Sequence, residues 1–269
     1  MSYEGAGAAA SGVLSCRYGQ SRLAVRGPLR SLGSPYLAFL GGSETYGRFV
    51  DRPYPDLLES ILSRPCVNLG AANSGLDSYL GDAEIMALAE KAELCVLQLP
   101  GAQDLGNRFY RVHPRRNDRF LEPEPDLRRL YPEVDYTEFH FNRHLLGTLE
   151  ALSPRRFAEI ERELRREWQA RIRVLADRLG GRVVLLWLRY RTSAAELLAG
   201  RVMLDAEMIA GVADCVRDVV AVEVAAAGES GDLEEMRYAP LQHPAAASLI
   251  GPSAHSEIAA RLYDTLIEI

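Results

Sequence analysis

Five short apolar runs punctuate the chain, at residues 36–40, 66–69, 94–99, 183–188 and 219–224. Several are continuously apolar rather than alternating, the pattern of parallel strands covered on both faces. Helical spacing fills the intervals. Residues 56–63 join the first two runs and residues 81–92 the next two. Residues 154–179 carry Phe157, Ile160, Leu164, Trp168, Ile172 and Leu175 three or four apart on a Glu/Arg-rich background, an amphipathic helix. Residues 205–217 precede the fifth run and 256–267 close the chain as a last helix. Strands alternating with helices predict a three-layer α/β/α domain, doubly wound around a five-stranded parallel sheet.

Two stretches break the alternation. Residues 1–33 carry Gly, Ala and Arg with little periodicity and read as an N-terminal arm, leaving 34–269 as one α/β domain. Residues 101–152 form a long insertion after the third strand, rich in Arg, Pro, aromatics and His. Segments of this length inside compact domains usually serve function, so a cap is expected there.

Composition narrows the function classes. The 269 residues are 48% hydrophobic and 25% charged, with a net charge of −6. That balance argues against general nucleic-acid binding, which needs a basic surface. Lys91 is the sole lysine, so 30 of the 31 basic residues are arginine. Cys16, Cys66, Cys95 and Cys215 form no CxxC pair, which points to reduced thiols, with Cys66 and Cys95 inside apolar runs. His140 and His144 are four apart, a spacing that puts both on one helix face. No nearby acid completes a site and there is no HExxH, so no metal and no cofactor is expected. The start has no basic end followed by an apolar stretch, and no apolar segment is long enough to span a bilayer. A cytoplasmic protein without a membrane partner is expected, and nothing fixes its oligomeric state.

The first strand stops at Gly41-Gly42 and is followed at once by Ser43. That is the carboxyl end of a strand, where open α/β sheets hold their ligands. A serine hydroxyl is a weak nucleophile and needs a base and donors for an oxyanion, which a following helix start can help supply. The competing reading is a helix N-cap, for which serine is favoured. Three more polar clusters follow strands or open a helix: 67–75, with Asn68, Gly70, Asn73 and Gly75; 96–107, with Gly101, Gln103, Asp104 and Asn107; and 251–259, with His255. Arg108, Arg111, Arg115, Arg116 and Arg119 crowd into twelve positions with Phe109, Tyr110, His113 and Phe120 between them. Arginine forks suit carboxylate, phosphate or sulfate, so Asn107, Arg108, Arg111, His113, Arg115 and Arg116 are candidate contacts for an anionic substrate. The alternative is ion pairing with Asp104, Asp118, Glu122, Glu124 and Asp126. Arg189 and Arg191, beyond the fourth strand, either line the same pocket or lie on the surface.

The order of these blocks resembles the SGNH (GDSL-like) hydrolases. Gly41-Gly42-Ser43-Glu44-Thr45-Tyr46-Gly47 is similar to the first block, with Gly42 where the family has aspartate. Asn68-Leu69-Gly70 through Gly75 is similar to the second. Gly101-Ala102-Gln103-Asp104 is similar to the third, with glutamine for asparagine. His255 fits the last block's histidine, with Pro252 at its aspartate position. Most of the chain, and 107–120 especially, also resembles a bacterial family of uncharacterised proteins, the DUF6473 type. The SGNH resemblance implies a flavodoxin-like sheet of order 2-1-3-4-5. It implies an esterase or acyltransferase in which Ser43 attacks an ester carbonyl and His255 takes its proton, with His243 as the rival base. The Ser43 amide, the backbone at Asn73 or Gly75 and the Gln103 amide would hold the oxyanion. The expected substrate is a small-molecule or glycan ester, anionic if the arginines bind it. Two alternatives stay open: a non-catalytic anion- or carbohydrate-binding protein on the same fold, and a sulfuryl- or phosphoryl-group enzyme using Arg108 to Arg119.

Overall fold

The computed structural model describes residues 14–33, 35–191, 202 and 204–267. Among these residues nine strands run in chain order: β1 Ser15–Cys16, β2 Val25–Arg26, β3 Leu37–Leu40, β4 Cys66–Asn68, β5 Leu94–Gln98, β6 Tyr110–His113, β7 Arg116–Pro123, β8 Val183–Tyr190 and β9 Asp218–Val224. Strands β4-β3-β5-β8-β9 form one five-stranded sheet, parallel throughout. Counted within that sheet, the order is 2-1-3-4-5, as the resemblance implied. The five apolar runs are its five strands. β8 runs on to Tyr190, past the apolar run into less buried positions, and β9 begins one residue early, at the exposed Asp218.

The α-helices among the described residues are α1 Ser43–Tyr46, α2 Tyr54–Leu62, α3 Leu76–Leu80, α4 Ala83–Lys91, α5 Pro125–Leu130, α6 Asn142–Leu152, α7 Pro154–Arg178, α8 Ala206–Ala210, α9 Ala227–Ser230, α10 His243–Ala247 and α11 Pro252–Leu266. Successive strand residues point to opposite faces. Ala38, Leu40, Cys95, Leu97, Val183 and Leu185 pack with Ile85, Met86, Ile160, Leu164, Trp168 and Ile172 of α4 and α7. Leu37, Phe39, Val96, Val184 and Leu186 pack with Tyr54, Leu58, Ile258, Leu262 and Leu266 of α2 and α11. The result is three layers, α/β/α. The indole of Trp168 donates to Pro100 O at 3.0 Å and fixes the chain leaving β5. The helix expected over 205–217 is shorter: α8 ends at Ala210 and a 3₁₀ turn covers Ala213–Cys215. The last helix starts earlier than expected, because Pro252 takes its first turn, where a missing N–H costs nothing.

In the N-terminal stretch, β1 and β2 pair as an antiparallel ribbon. Residues 1–13 of the expected arm lie outside the described residues. Arg26, buried, donates to the carbonyls of Tyr46, Gly47, Val50 and Asp51 and so holds the loop after α1. The 101–152 stretch contains the antiparallel β6/β7 hairpin, α5 and α6. Cys66 and Cys95 are buried, which pushes their thiols up to about 12. No helix among the described residues is long and apolar enough to cross a membrane.

Candidate functional site

Backbone crowding at two glycines aims Ser43. A Cβ on Gly41 would lie 2.0 Å from Thr45 Oγ1 and 2.7 Å from Gln98 Oε1, so the chain can turn there only without a side chain. A Cβ on Gly70 would lie 2.5 Å from the Tyr46 amide nitrogen. The buried Tyr79 hydroxyl donates to Gly41 O at 2.5 Å and accepts from the amides of Gly41 and Ala71. It thereby ties the ends of β3 and β4 together. Gly42 N–H donates to Gln98 Oε1 at 2.8 Å. Ser43 is the first residue inside α1, with Gly42 at the cap position, so its hydroxyl is not the helix cap of the competing reading. It donates to Asn73 Oδ1 and accepts from Asn73 N–H, both at 3.2 Å. Asn73 has φ of 59°, a left-handed conformation that asparagine tolerates better than most residues.

Ser43 opens onto a cavity of about 450 Å³ at the carboxyl ends of β3, β5 and β8. Glu44, Asn73, Gln98, Gln103, Asp104, Asp118, Trp187, Arg189, Tyr190, Ser248 and Leu249 help line it. Tyr190 donates its hydroxyl to Glu44 Oε1 at 3.0 Å. Asp104 accepts from Gln103 Nε2 at 3.2 Å and from Asn142 Nδ2 at 3.0 Å. Two acceptors in the lining are buried with no donor: Gln103 Oε1 and Asp118 Oδ1. Asn142 Oδ1 beside them is in the same condition, as are the Nε donors of Arg116 and Arg119. Burial raises the Asp118 carboxyl above its ordinary range despite Arg116 and Arg119 nearby. Unmet donors next to unmet acceptors do not suit a cation, and the described residues contain no metal-holding group of three or more His, Cys, Asp or Glu. Sequence reasoning passed over Asp118, Glu44, Trp187 and Ser248. Asp118 was legible only as part of the arginine cluster.

All five histidines lie among the described residues, and none bonds to Ser43. His255 is 1% exposed, stacked on Tyr54 with ring centroids 5.9 Å apart. Its Nδ1 accepts the Tyr54 amide at 3.1 Å, and burial, helped by Arg26, lowers its pKa to about 3. It is a neutral core residue on α11 and not a base facing Ser43. Its place was readable: His255, Ile258, Ala259, Leu262 and Leu266 share one buried face at helical spacing. The residues that the chain does bring to the cavity ahead of α11 are Ser248 and Leu249. His243 packs edge-on against Tyr238. His140 lies before α6 rather than in it, so it shares no helix face with His144, which packs on Phe139. The Nδ1 of His113 accepts the Arg115 and Arg116 amides in the hairpin turn.

The remaining expected site residues divide. Gln103 and Asn73 line the cavity. The Gly75 amide does not offer itself to an oxyanion: it donates to Asn117 Oδ1 at 2.9 Å, which also takes the Ser78 amide and hydroxyl. Three arginines of the cluster are ion-paired rather than gathered around a ligand, and Arg119 packs over the Phe141 ring. Arg108 meets Glu159, Glu163 and Asp126 and packs over Phe109; Arg111 meets Glu122; Arg116 meets Asp118. Asn107 accepts the amides of Phe109 and Tyr110 in a local turn. None of Asn107, Arg108, Arg111, His113, Arg115 or Arg116 lines the Ser43 cavity or the larger one beside it. Arg189 does line the Ser43 cavity, over the Trp187 ring, whereas Arg191 lies at a separate hollow along β9.

A family model described as "Domain of unknown function (DUF6473)" matches residues 1–269. Comparison with curated proteins gives no match. Among solved structures, the chain is similar to the lipase Lip_vut3 from a goat rumen metagenome, at 14% identity and a TM-score of 0.42, over 86% of this chain and 97% of that one.

Proposed function

This chain belongs to the DUF6473 family, and we propose that its Ser43 cavity binds a small, neutral, hydroxyl-rich molecule of carbohydrate type without hydrolysing it. One observation carries the reading: Gln103 Oε1 and Asp118 Oδ1 are buried acceptors in the lining with no donor. Leaving such an acceptor unmet costs about 1–3 kcal/mol; both atoms are closed to solvent, and a turn of either side chain brings it to a ligand hydroxyl that offsets the cost. A hydroxyl both donates and accepts, so a polyol also matches the amides of Gln103 and Asn73. Trp187 and Tyr190 supply aromatic surface at the same place. An anionic ligand fits less well: Glu44, Asp104 and Asp118 share the lining with Arg189, which pairs with Glu223 at 3.8 Å. Sulfuryl or phosphoryl transfer at Arg108 to Arg119 has little to work with, since Arg108, Arg111 and Arg116 face carboxylates and none of the cluster's arginines lines either cavity.

Acyl-ester hydrolysis or transfer at Ser43 is the second reading. It needs a base, and His255 is turned into the core. Asp118 favours this reading instead, because a carboxyl held above its ordinary range in the same cavity suits general-base work. Against it, the Ser43 hydroxyl already donates to and accepts from Asn73.

A fluorophosphonate probe separates the two readings. No labelling is expected of the wild type, while thermal-shift titration with neutral monosaccharides and their methyl glycosides should stabilise it. Gln103→Ala and Asp118→Asn should each weaken that stabilisation at least tenfold in half-saturating concentration. Labelling that disappears in Ser43→Ala would overturn the binding reading in favour of the esterase. No stabilisation by any sugar would overturn it outright.

A further inference from the structure

A larger hollow of about 1030 Å³ continues from the Ser43 cavity, and the two share Asn73, Gln103, Asp104, Asp118 and Ser248. The character changes beyond that shared wall. The far side is one face of α6, where His144, Gly147, Thr148, Ala151 and Leu152 recur at helical spacing, with Phe141 just before it. Phe141 is 43% exposed and Leu152 49%, two of the large apolar side chains left in water. Resting on the reading of the Ser43 cavity as a sugar site, we infer that the ligand is an amphiphile: a neutral sugar head at Ser43 and an aliphatic tail along α6.

Continuity argues for one ligand rather than two, since the polar residues of the shared wall belong to both spaces. The small residues Gly147 and Ala151 leave room against the helix, and Leu152 and Phe141 offer the flanking apolar surface. A tail that covers them removes their exposed area and its own from water, so affinity should rise about fourfold per buried methylene. A head-only ligand would leave the larger hollow unused. An oligosaccharide would meet aliphatic carbon there, where it needs hydrogen bonds.

The test is calorimetric titration of the full chain with paired methyl and octyl glycosides of several neutral sugars, below micelle concentrations, together with matched oligosaccharides. We expect the octyl form of the bound sugar to bind at least about 100-fold tighter than the methyl form, and Leu152→Asp to shrink that ratio below about fivefold. Leu152 is exposed, so the substituted chain should fold, and an unchanged circular-dichroism melt checks this. Equal binding of methyl and octyl forms would overturn the tail while leaving the sugar site standing. So would a large ratio indifferent to Leu152→Asp, or affinity that grows with sugar units and not with methylenes. No binding of any glycoside would overturn the sugar reading itself and the tail with it.

Discussion

The paired charges around the β6/β7 hairpin and the lining of the Ser43 cavity are both crowded with polar side chains, yet the unmet atoms gather at one place, on Arg116, Asp118 and Arg119 of β7 and on Gln103 and Asn142. In the hairpin, the charges of Arg108, Arg111 and Arg116 face carboxylates, and the ring nitrogen of His113 takes two backbone amides. In the cavity, Gln103 Oε1 and Asp118 Oδ1 face nothing. Density of charged residues along a sequence therefore says little about where a ligand binds. What marks a site is polar capacity that the fold itself leaves unmet, because burial without a partner is costly and persists only where something else compensates.

The largest expected effect lies where the two regions join. Asn117, fully buried on β7, takes the Gly75 amide and the Ser78 amide and hydroxyl, and gives its NH₂ to His113 O. Asn117→Ala strands these groups in the core and should cost about 3–4 kcal/mol of unfolding free energy in urea titration, at the upper end for orphaned buried donors. A cost below about 1 kcal/mol would mean that the hairpin is not what holds the α3 start beside the cavity.

Next in size is His255, whose burial sharpens the contrast between a core residue and a site residue. Its folded pKa is lowered to about 3 from an ordinary 6.5. The unfolded chain therefore takes up a proton that the folded chain refuses between those values. Stability is fully present above pH 6.5 and is lost as pH falls toward 3, at about 1.4 kcal/mol per pH unit. Between pH 6.5 and 4.5, His255→Phe should flatten the urea-derived stability curve by about 2–3 kcal/mol relative to wild type. An unchanged curve would mean that the imidazole takes up a proton in the folded chain and is open to solvent.

Asp118→Asn comes third, and it acts on function and stability in opposite directions. The carboxyl is raised by burial, so its ionised form works against folding above its folded pKa. Removing the charge should leave the melting temperature at pH 7 equal or higher, with the advantage fading as pH falls through the raised folded pKa and gone below the ordinary 3.8, while the sugar stabilisation described above weakens. A clear loss of stability at pH 7 would instead mean that the Arg116–Asp118 ion pair outweighs the cost of burying the charge.

Sequence legibility followed the same division. The five strands were readable because strands covered on both faces must be continuously apolar, and they came out in the implied order. Ser43 was readable because Gly41 has no room for a Cβ and the strand has to end there. The partner expected for it was not. His255 was assigned because it fits the histidine of the resembled last block ahead of the final helix, although its helical spacing with Ile258, Leu262 and Leu266 already placed it on the buried face. Asp118 and Ser248 reach the cavity from 75 or more residues away along the chain. Their arrival depends on how the hairpin and the loop before α11 pack, which no local pattern encodes. The arginines were over-read because sequence displays charge and hides its partner: Glu159 and Glu163, which neutralise Arg108, lie on α7, some fifty residues further on.

The smallest effect is expected at the hairpin's outer pair. Arg111 and Glu122 meet at 2.6 Å, but their side chains are 59% and 55% exposed. Water and salt screen such a pair, and holding two long side chains in one geometry costs entropy, so exposed pairs are worth about 0–1 kcal/mol. Arg111→Gln should therefore shift the urea midpoint barely beyond error, and sulfate up to physiological ionic strength should not raise the wild-type melting temperature more than chloride does. A sulfate-specific stabilisation that Arg111→Gln abolishes would break the comparison at its root. It would mean that the hairpin, for all its internal pairing, still has anion-binding capacity to spare, and that the anionic substrate expected from the sequence binds there and not at Ser43.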